Sequence, residues 1–115
     1  MIELQKIDFP SDCTVIHHEF YTYDPLNTFN EKHSLEFLDE DLLQCTFEED
    51  NMTIDLGWYG NTSTNKGEFK LQMIKDENWE IPFETIHSKS VDEIKSILIK
   101  VLHYYTSTEI TEAFE

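Results

Sequence analysis

The stretch Leu43-Gln-Cys-Thr-Phe-Glu-Glu-Asp-Asn-Met-Thr-Ile-Asp-Leu-Gly-Trp-Tyr59 decides the fold. Leu43, Cys45 and Phe47 alternate with Gln44, Thr46 and Glu48. Met52, Ile54, Leu56 and Trp58 then alternate with Thr53, Asp55, Gly57 and Tyr59. A period of two is the signature of a strand with one buried face, because successive side chains point to opposite sides. Glu49-Asp50-Asn51 between the two runs is a turn signal. The stretch therefore predicts two half-buried strands joined as a hairpin.

Downstream, residues 60–67 read as a polar loop. Phe69, Leu71 and Met73 give a third strand, and Asp76-Glu77-Asn78 the next turn. Trp79-Glu80-Ile81-Pro82 reads as a short fourth strand with Pro82 at its end or on an edge, since proline cannot donate to a ladder. Ser90 with Glu93 three residues on is a capping box, and Asp92 suits the first turn. Ile94, Ile97, Leu98, Val101, Leu102 and Tyr105 fall on one face of a helix predicted over 91–105. The tail from Thr106 to Glu115 is polar and is expected to fray.

Upstream, Ile2 to Ile7 alternates loosely, as a short strand would. Phe9-Pro10-Ser11-Asp12 is a turn. Thr14 to Tyr23 is rich in β-branched and aromatic residues and predicts a strand, broken by Asp24-Pro25-Leu26-Asn27. Residues 24–33 read as a loop. Residues 34–42 fit a helical turn or a strand closed by an acidic turn at Asp39-Glu40-Asp41, and the strand is the better fit. The fold class expected is α+β, an antiparallel β-meander sheet packed by a C-terminal amphipathic helix.

At 115 residues the chain is expected to be a single domain over 1–115, long enough to bury a core. Its 39% apolar and 13% aromatic content is too high for a disordered acidic tail. No basic segment followed by an apolar one opens the sequence, and no window reaches the roughly 18 apolar residues of a membrane span. The cytoplasm is the expected location, with Cys13 and Cys45 as free thiols.

Charge is the strongest compositional signal. The 24 acidic residues face 8 basic ones, all lysine, for a formal net charge of −16. Solubility asks for a magnitude of only about 2–8 in a small domain. A chain without arginine and this negative is repelled by phosphate backbones and anionic membranes, so direct nucleic-acid or membrane binding is not expected. A basic protein partner is.

Catalytic signatures are missing. His17 and His18 are adjacent, so on a strand they point to opposite faces. His33, His87 and His103 are scattered, with no HxxxH or HExxH spacing. There is no GxSxG elbow and no Gly-rich phosphate loop, the three glycines being Gly57, Gly60 and Gly67, which read as turn and bulge positions. No enzyme activity, cofactor or metal is expected.

The acidic residues have an address. From His33 to Asn65 there is no lysine, while Glu36, Asp39, Glu40, Asp41, Glu48, Glu49, Asp50 and Asp55 lie there. Glu48, Glu49 and Asp50 would crowd the hairpin tip, and Asp55 and Tyr59 would share its outward face. One reading is a solvated edge that discourages sheet-to-sheet aggregation. The other is a patch that steers a basic partner. Tyr21, Tyr23, Tyr59 or Trp79 would supply the aromatic anchors that interfaces favour. The partner-binding residues expected are thus Glu36, Asp39, Glu40, Asp41, Glu48, Glu49, Asp50, Asp55 and Tyr59.

The run Ile54-Asp-Leu-Gly-Trp-Tyr-Gly60, then Gly67-Glu-Phe-Lys-Leu-Gln-Met-Ile-Lys75, then Asn78-Trp-Glu-Ile-Pro82, resembles small bacterial immunity proteins of polymorphic-toxin systems, including contact-dependent growth inhibition. The resemblance covers residues 52–102 and lies in strands, aromatics and turns. It implies a cytoplasmic protein that binds a cognate toxin domain, often a basic nuclease, and blocks it. It carries over no contact residues. Gly57-Trp58 and Trp79–Pro82 would hold the fold rather than the toxin. The same charge would also suit a nucleic-acid mimic from a phage or mobile element that inhibits a DNA-binding or defence protein.

Overall fold

In the computed structural model, which describes residues 2–27, 29–61 and 66–106, the hairpin is the centre of a five-stranded sheet. The strands are β1 (Cys13–His18), β2 (Leu43–Phe47), β3 (Met52–Asn61), β4 (Lys66–Lys75) and β5 (Glu84–Ser88). They lie in sequence order and every neighbouring pair is antiparallel, so the sheet is a meander. Two helices complete the α+β fold, α1 (Glu31–Phe37) and α2 (Val91–Tyr105).

Alternation sorts the side chains as the sequence predicts. Leu43, Leu56, Leu71 and Ile86 line up across four strands on one face. Cys45, Ile54 and Met73 form the next row, and α2 lies over β4 and β5 on this side. Val91, Ile94, Leu98 and Leu102 of α2 are buried in the same core. Each such side chain contributes about 1.5–3 kcal/mol when fully buried.

α2 begins as its cap residues dictate. Ser90 Oγ accepts from the Glu93 N–H at 3.1 Å. Glu93 does not reach back to the Ser90 N–H as a capping box would. Its carboxylate accepts from Ser88 Oγ, which itself accepts from the Ser90 N–H. Replacing Ser90 with alanine is expected to cost about 1 kcal/mol, read as a lower urea midpoint with an unchanged slope.

Five upstream and edge expectations are corrected. Residues 34–42 do not form a strand, and 24–33 is not all loop. α1 occupies seven of these residues. Asn30 caps it by accepting from the His33 N–H, and the fully buried Ser34 is 2.7 Å from the Tyr23 hydroxyl. The predicted strand over Thr14 to Tyr23 starts at Cys13 and ends at His18, with a bulge between Val15 and His17. Ile2 to Ile7 makes only an isolated bridge, Leu4 to Tyr21. The last strand is Glu84–Ser88, not Trp79–Pro82, which forms turns. The polar tail beyond Thr106 lies outside the described residues, as do 62–65 of the polar loop. No helix among the described residues is long and apolar enough to cross a membrane.

Candidate functional site

The face of the sheet opposite α2 is mostly polar. The register sets one row across all five strands, His17, Gln44, Asp55, Gln72 and Thr85. Directly opposed side chains stand about 4.5–5.5 Å apart at Cβ. Ile74 is an apolar exception and is fully buried.

One end of this row is walled by residues 39–42. The Trp58 N–H donates to the Asp39 carbonyl at 2.7 Å, and the Leu42 N–H to the Leu56 carbonyl at 3.0 Å. Between those bonds Glu40 and Asp41 oppose the single residue Gly57, the two-against-one count of a bulge. The chain can pass there only because Gly57 has no side chain. A Cβ at that position would lie 2.1 Å from the Glu40 carbonyl oxygen. Gly57 is thus a mid-strand close-approach position and not a turn glycine. The strap is also tied to the first strand. The Glu19 N–H donates to the Leu42 carbonyl at 2.6 Å, and His17 Nε2 donates to the Asp41 carbonyl at 2.8 Å.

Asp55 lies at the foot of this wall. It is only 7% exposed, and no described residue donates a hydrogen bond to its carboxylate. Burial pushes its pKa from 3.8 up to about 6, and Asp41 adds to the rise, while Lys70 and His17 oppose it. Burial also raises the Tyr59 phenol, with contributions from Asp55, Glu40 and Asp41. Lys70 stands opposite Gly57, and its ammonium lies 4.0 Å from the centre of the Tyr59 ring. The hollow bounded by His17, Asp41, Leu43, Gln44 and Asp55 has a volume of about 270 Å³.

Four of the nine predicted site residues therefore meet here, Glu40, Asp41, Asp55 and Tyr59, and Asp39 joins them through its backbone carbonyl. The other four do not. Glu48, Glu49 and Asp50 sit in the hairpin turn, with Asp50 five residues, or about 16 Å of extended chain, from Asp55. Glu48 accepts there from Thr14 Oγ1, and Lys75 Nζ donates to the Asp50 carbonyl. Glu36 lines a different hollow, with Thr22, Asp24, His33 and Phe37. Of the aromatic anchors, Tyr23 belongs to the core at 4% exposure, whereas Trp79 is exposed. His17 and Gln44 were not foreseen. The phase of Gln44 with Asp55 across the hairpin was a usable signal, but His17 depends on the β1 bulge, which no local pattern announces.

Such an arrangement can attract and hold a cation. It has no built nucleophile, and no group of three or more His, Cys, Asp and Glu among the described residues could hold a metal ion. No protein family matches the chain, and no curated protein or solved structure matches it either.

Proposed function

We propose that this chain is an immunity protein that binds and neutralises a basic toxin domain, a nuclease, in the cytoplasm. It would act by covering the toxin's active site or substrate surface, without cofactor and without turnover. The observation that carries the reading is the acidic wall over a buried carboxylate on the polar side of the sheet. Glu40, Asp41 and Asp55 gather there, with Lys70 the one nearby lysine among the described residues. The net charge of −16, the lack of arginine and the sequence resemblance over 52–102 support it. Carboxylates on one surface can take the place of nucleic-acid phosphates in a basic cleft, and their field speeds encounter by roughly 10–10³-fold.

Co-expression with the gene product encoded immediately upstream is the test. Growth rescue and a co-purifying complex are expected. Neither rescue nor complex would sink the proposal. Rescue of a host DNA-binding or defence target instead would favour the nucleic-acid mimic. In the complex, the double change Glu40→Gln with Asp41→Asn is expected to lower the association rate by about tenfold at low salt. The deficit is expected to shrink as ionic strength rises, because exposed charges are screened beyond about 8–10 Å at physiological salt. Changing Glu48, Glu49 and Asp50 to serine is expected to slow association less, and to leave the fold intact. Stopped-flow rates across a salt series check both.

A further inference from the structure

We propose that the hollow bounded by His17, Asp41, Gln44 and Asp55 seats a single arginine side chain of the protein partner. This deepens the immunity reading and rests on it for the partner's identity, though not for the binding chemistry itself.

The starting point is a carboxylate with little access to solvent and no hydrogen-bond donor beside it among the described residues. Asp55 is more than nine-tenths buried, faces into the hollow and receives no hydrogen bond from any described residue. Ionising a carboxylate with so little access to solvent is costly, and a cation with hydrogen-bond donors would offset that cost. Within the chain, Lys70 and His17 act on it through charge and donate no hydrogen bond to it. Lys70 is the nearby lysine, but its ammonium is placed over the Tyr59 ring and forms no ion pair with Asp55. A metal ion is a poor candidate, because no three metal-ligating side chains converge among the described residues.

The size and the acceptors choose the cation. A volume of about 270 Å³ falls below the roughly 300–1,000 Å³ of small-molecule sites, and suits the end of one side chain. Gln44 is the register neighbour of Asp55, and its amide makes no hydrogen bond to any described residue. Its carbonyl oxygen and the Asp55 carboxylate offer two acceptors on adjacent strands. The Asp41 carboxylate stands at the rim. The carbonyl of Asp41 can only accept, so His17 Nε2 carries a proton and the ring is held at the edge of the hollow. A guanidinium presents five N–H donors in a planar fork and sheds its water more readily than an ammonium. Such a site favours arginine over lysine.

Binding is also expected to compete with protonation. Asp55 titrates near 6, raised by burial and Asp41 and lowered by Lys70 and His17. Below that value the proton holds the carboxylate and the guanidinium loses its counter-charge.

The experiment titrates the whole free protein with Nα-acetyl-arginine N-methylamide at fixed ionic strength, followed by NMR. Saturable shifts are expected at Asp55, the Gln44 side-chain amide and the His17 ring, with millimolar affinity. The lysine analogue is expected to bind about tenfold or more weakly. Affinity is expected to fall by about tenfold for each pH unit below 6, and the Asp55 carboxyl is expected to titrate lower when the probe is bound. Asp55→Asn is expected to weaken binding by about tenfold or more, whereas Asp8→Asn, an equal change of charge at an exposed site, leaves it unchanged. Shifts scattered over the acidic surface, equal binding by Asp55→Asn, or a preference for the lysine analogue would each overturn the assignment. Because the probe needs no toxin, a saturating pocket in a protein that fails the co-expression test keeps this inference and discards the immunity reading. An unresponsive pocket in a protein that passes does the reverse.

Discussion

Replacing Gly57 with alanine is expected to destabilise the domain by about 2–4 kcal/mol, the sum of an overpacked contact and a weakened backbone hydrogen bond. The added Cβ would sit 2.1 Å from the Glu40 carbonyl oxygen, and backbone cannot swing aside as a side chain tip can. Either β3 shifts or the strap lifts. Lifting it strains the 2.7 Å bond from the Trp58 N–H to the Asp39 carbonyl. Against a total stability of about 5–15 kcal/mol, that is a large share. Chemical denaturation measures the loss, and amide shifts at Glu40, Asp41 and Trp58 show whether the strap has moved. A variant as stable as the parent with those amides in place would mean that Gly57 is not what admits the strap.

Asp55→Asn is expected to act in the opposite direction on stability. The carboxyl titrates at 3.8 without its surroundings and at about 6 within them. Its folded value is raised, so the folded state prefers the protonated acid. The benefit is fully present below about 4 and is lost as pH rises through about 6. Ionised Asp55 thus weighs against folding at neutral pH. The difference between the two values corresponds to about 3 kcal/mol, which solvent screening at the mouth of the hollow reduces to about 1–2 kcal/mol. The amide keeps the shape and carries no charge. Asp55→Asn is therefore expected to be more stable than the parent above pH 6, with the gap closing towards pH 4. Comparing the two proteins cancels the repulsion that the remaining acidic residues share. A gap that does not change with pH, or a variant less stable at pH 7, would show that Asp55 is satisfied in the folded chain.

Sequence and structure agree where one local period carries the signal. The β2–β3 hairpin and α2 each present a clean apolar face over ten or more residues, so a period of two or 3.6 was enough. α1 is short and has no long stripe. What stabilises it is the Asn30 cap and the bond between Ser34 and Tyr23, and the second pairs residues 11 apart that only the folded chain brings together. β5 escaped because an edge strand of mostly exposed residues does not alternate in hydropathy. Trp79-Glu80-Ile81-Pro82 imitated one better than the strand itself does.

The site divides in the same way. Asp55 and Tyr59 were legible as outward residues of β3 because their phase follows from the apolar positions beside them. That Asp55 is nonetheless buried was not legible, since its cover comes from a strap whose course depends on a missing side chain at Gly57. The acidic run Asp39-Glu40-Asp41 reads as a turn, but it runs between β1 and β3 ahead of β2. Its course between those strands is a property of the pairing of 39–42 with β1 and β3.

Apart from the Leu42 side chain, which is buried in the core, the strap is held by its main chain. Its ties to Trp58, Leu56, Glu19 and His17 use the carbonyls and amides of Asp39, Leu42 and Asp41, and only the Asp39 side chain joins in, by accepting from the Glu40 N–H. The side chains of Glu40 and Asp41 therefore carry little of the architecture. These two side chains can be exchanged without disturbing the backbone bonds that place the strap, whereas the missing side chain at Gly57 cannot be restored without moving it.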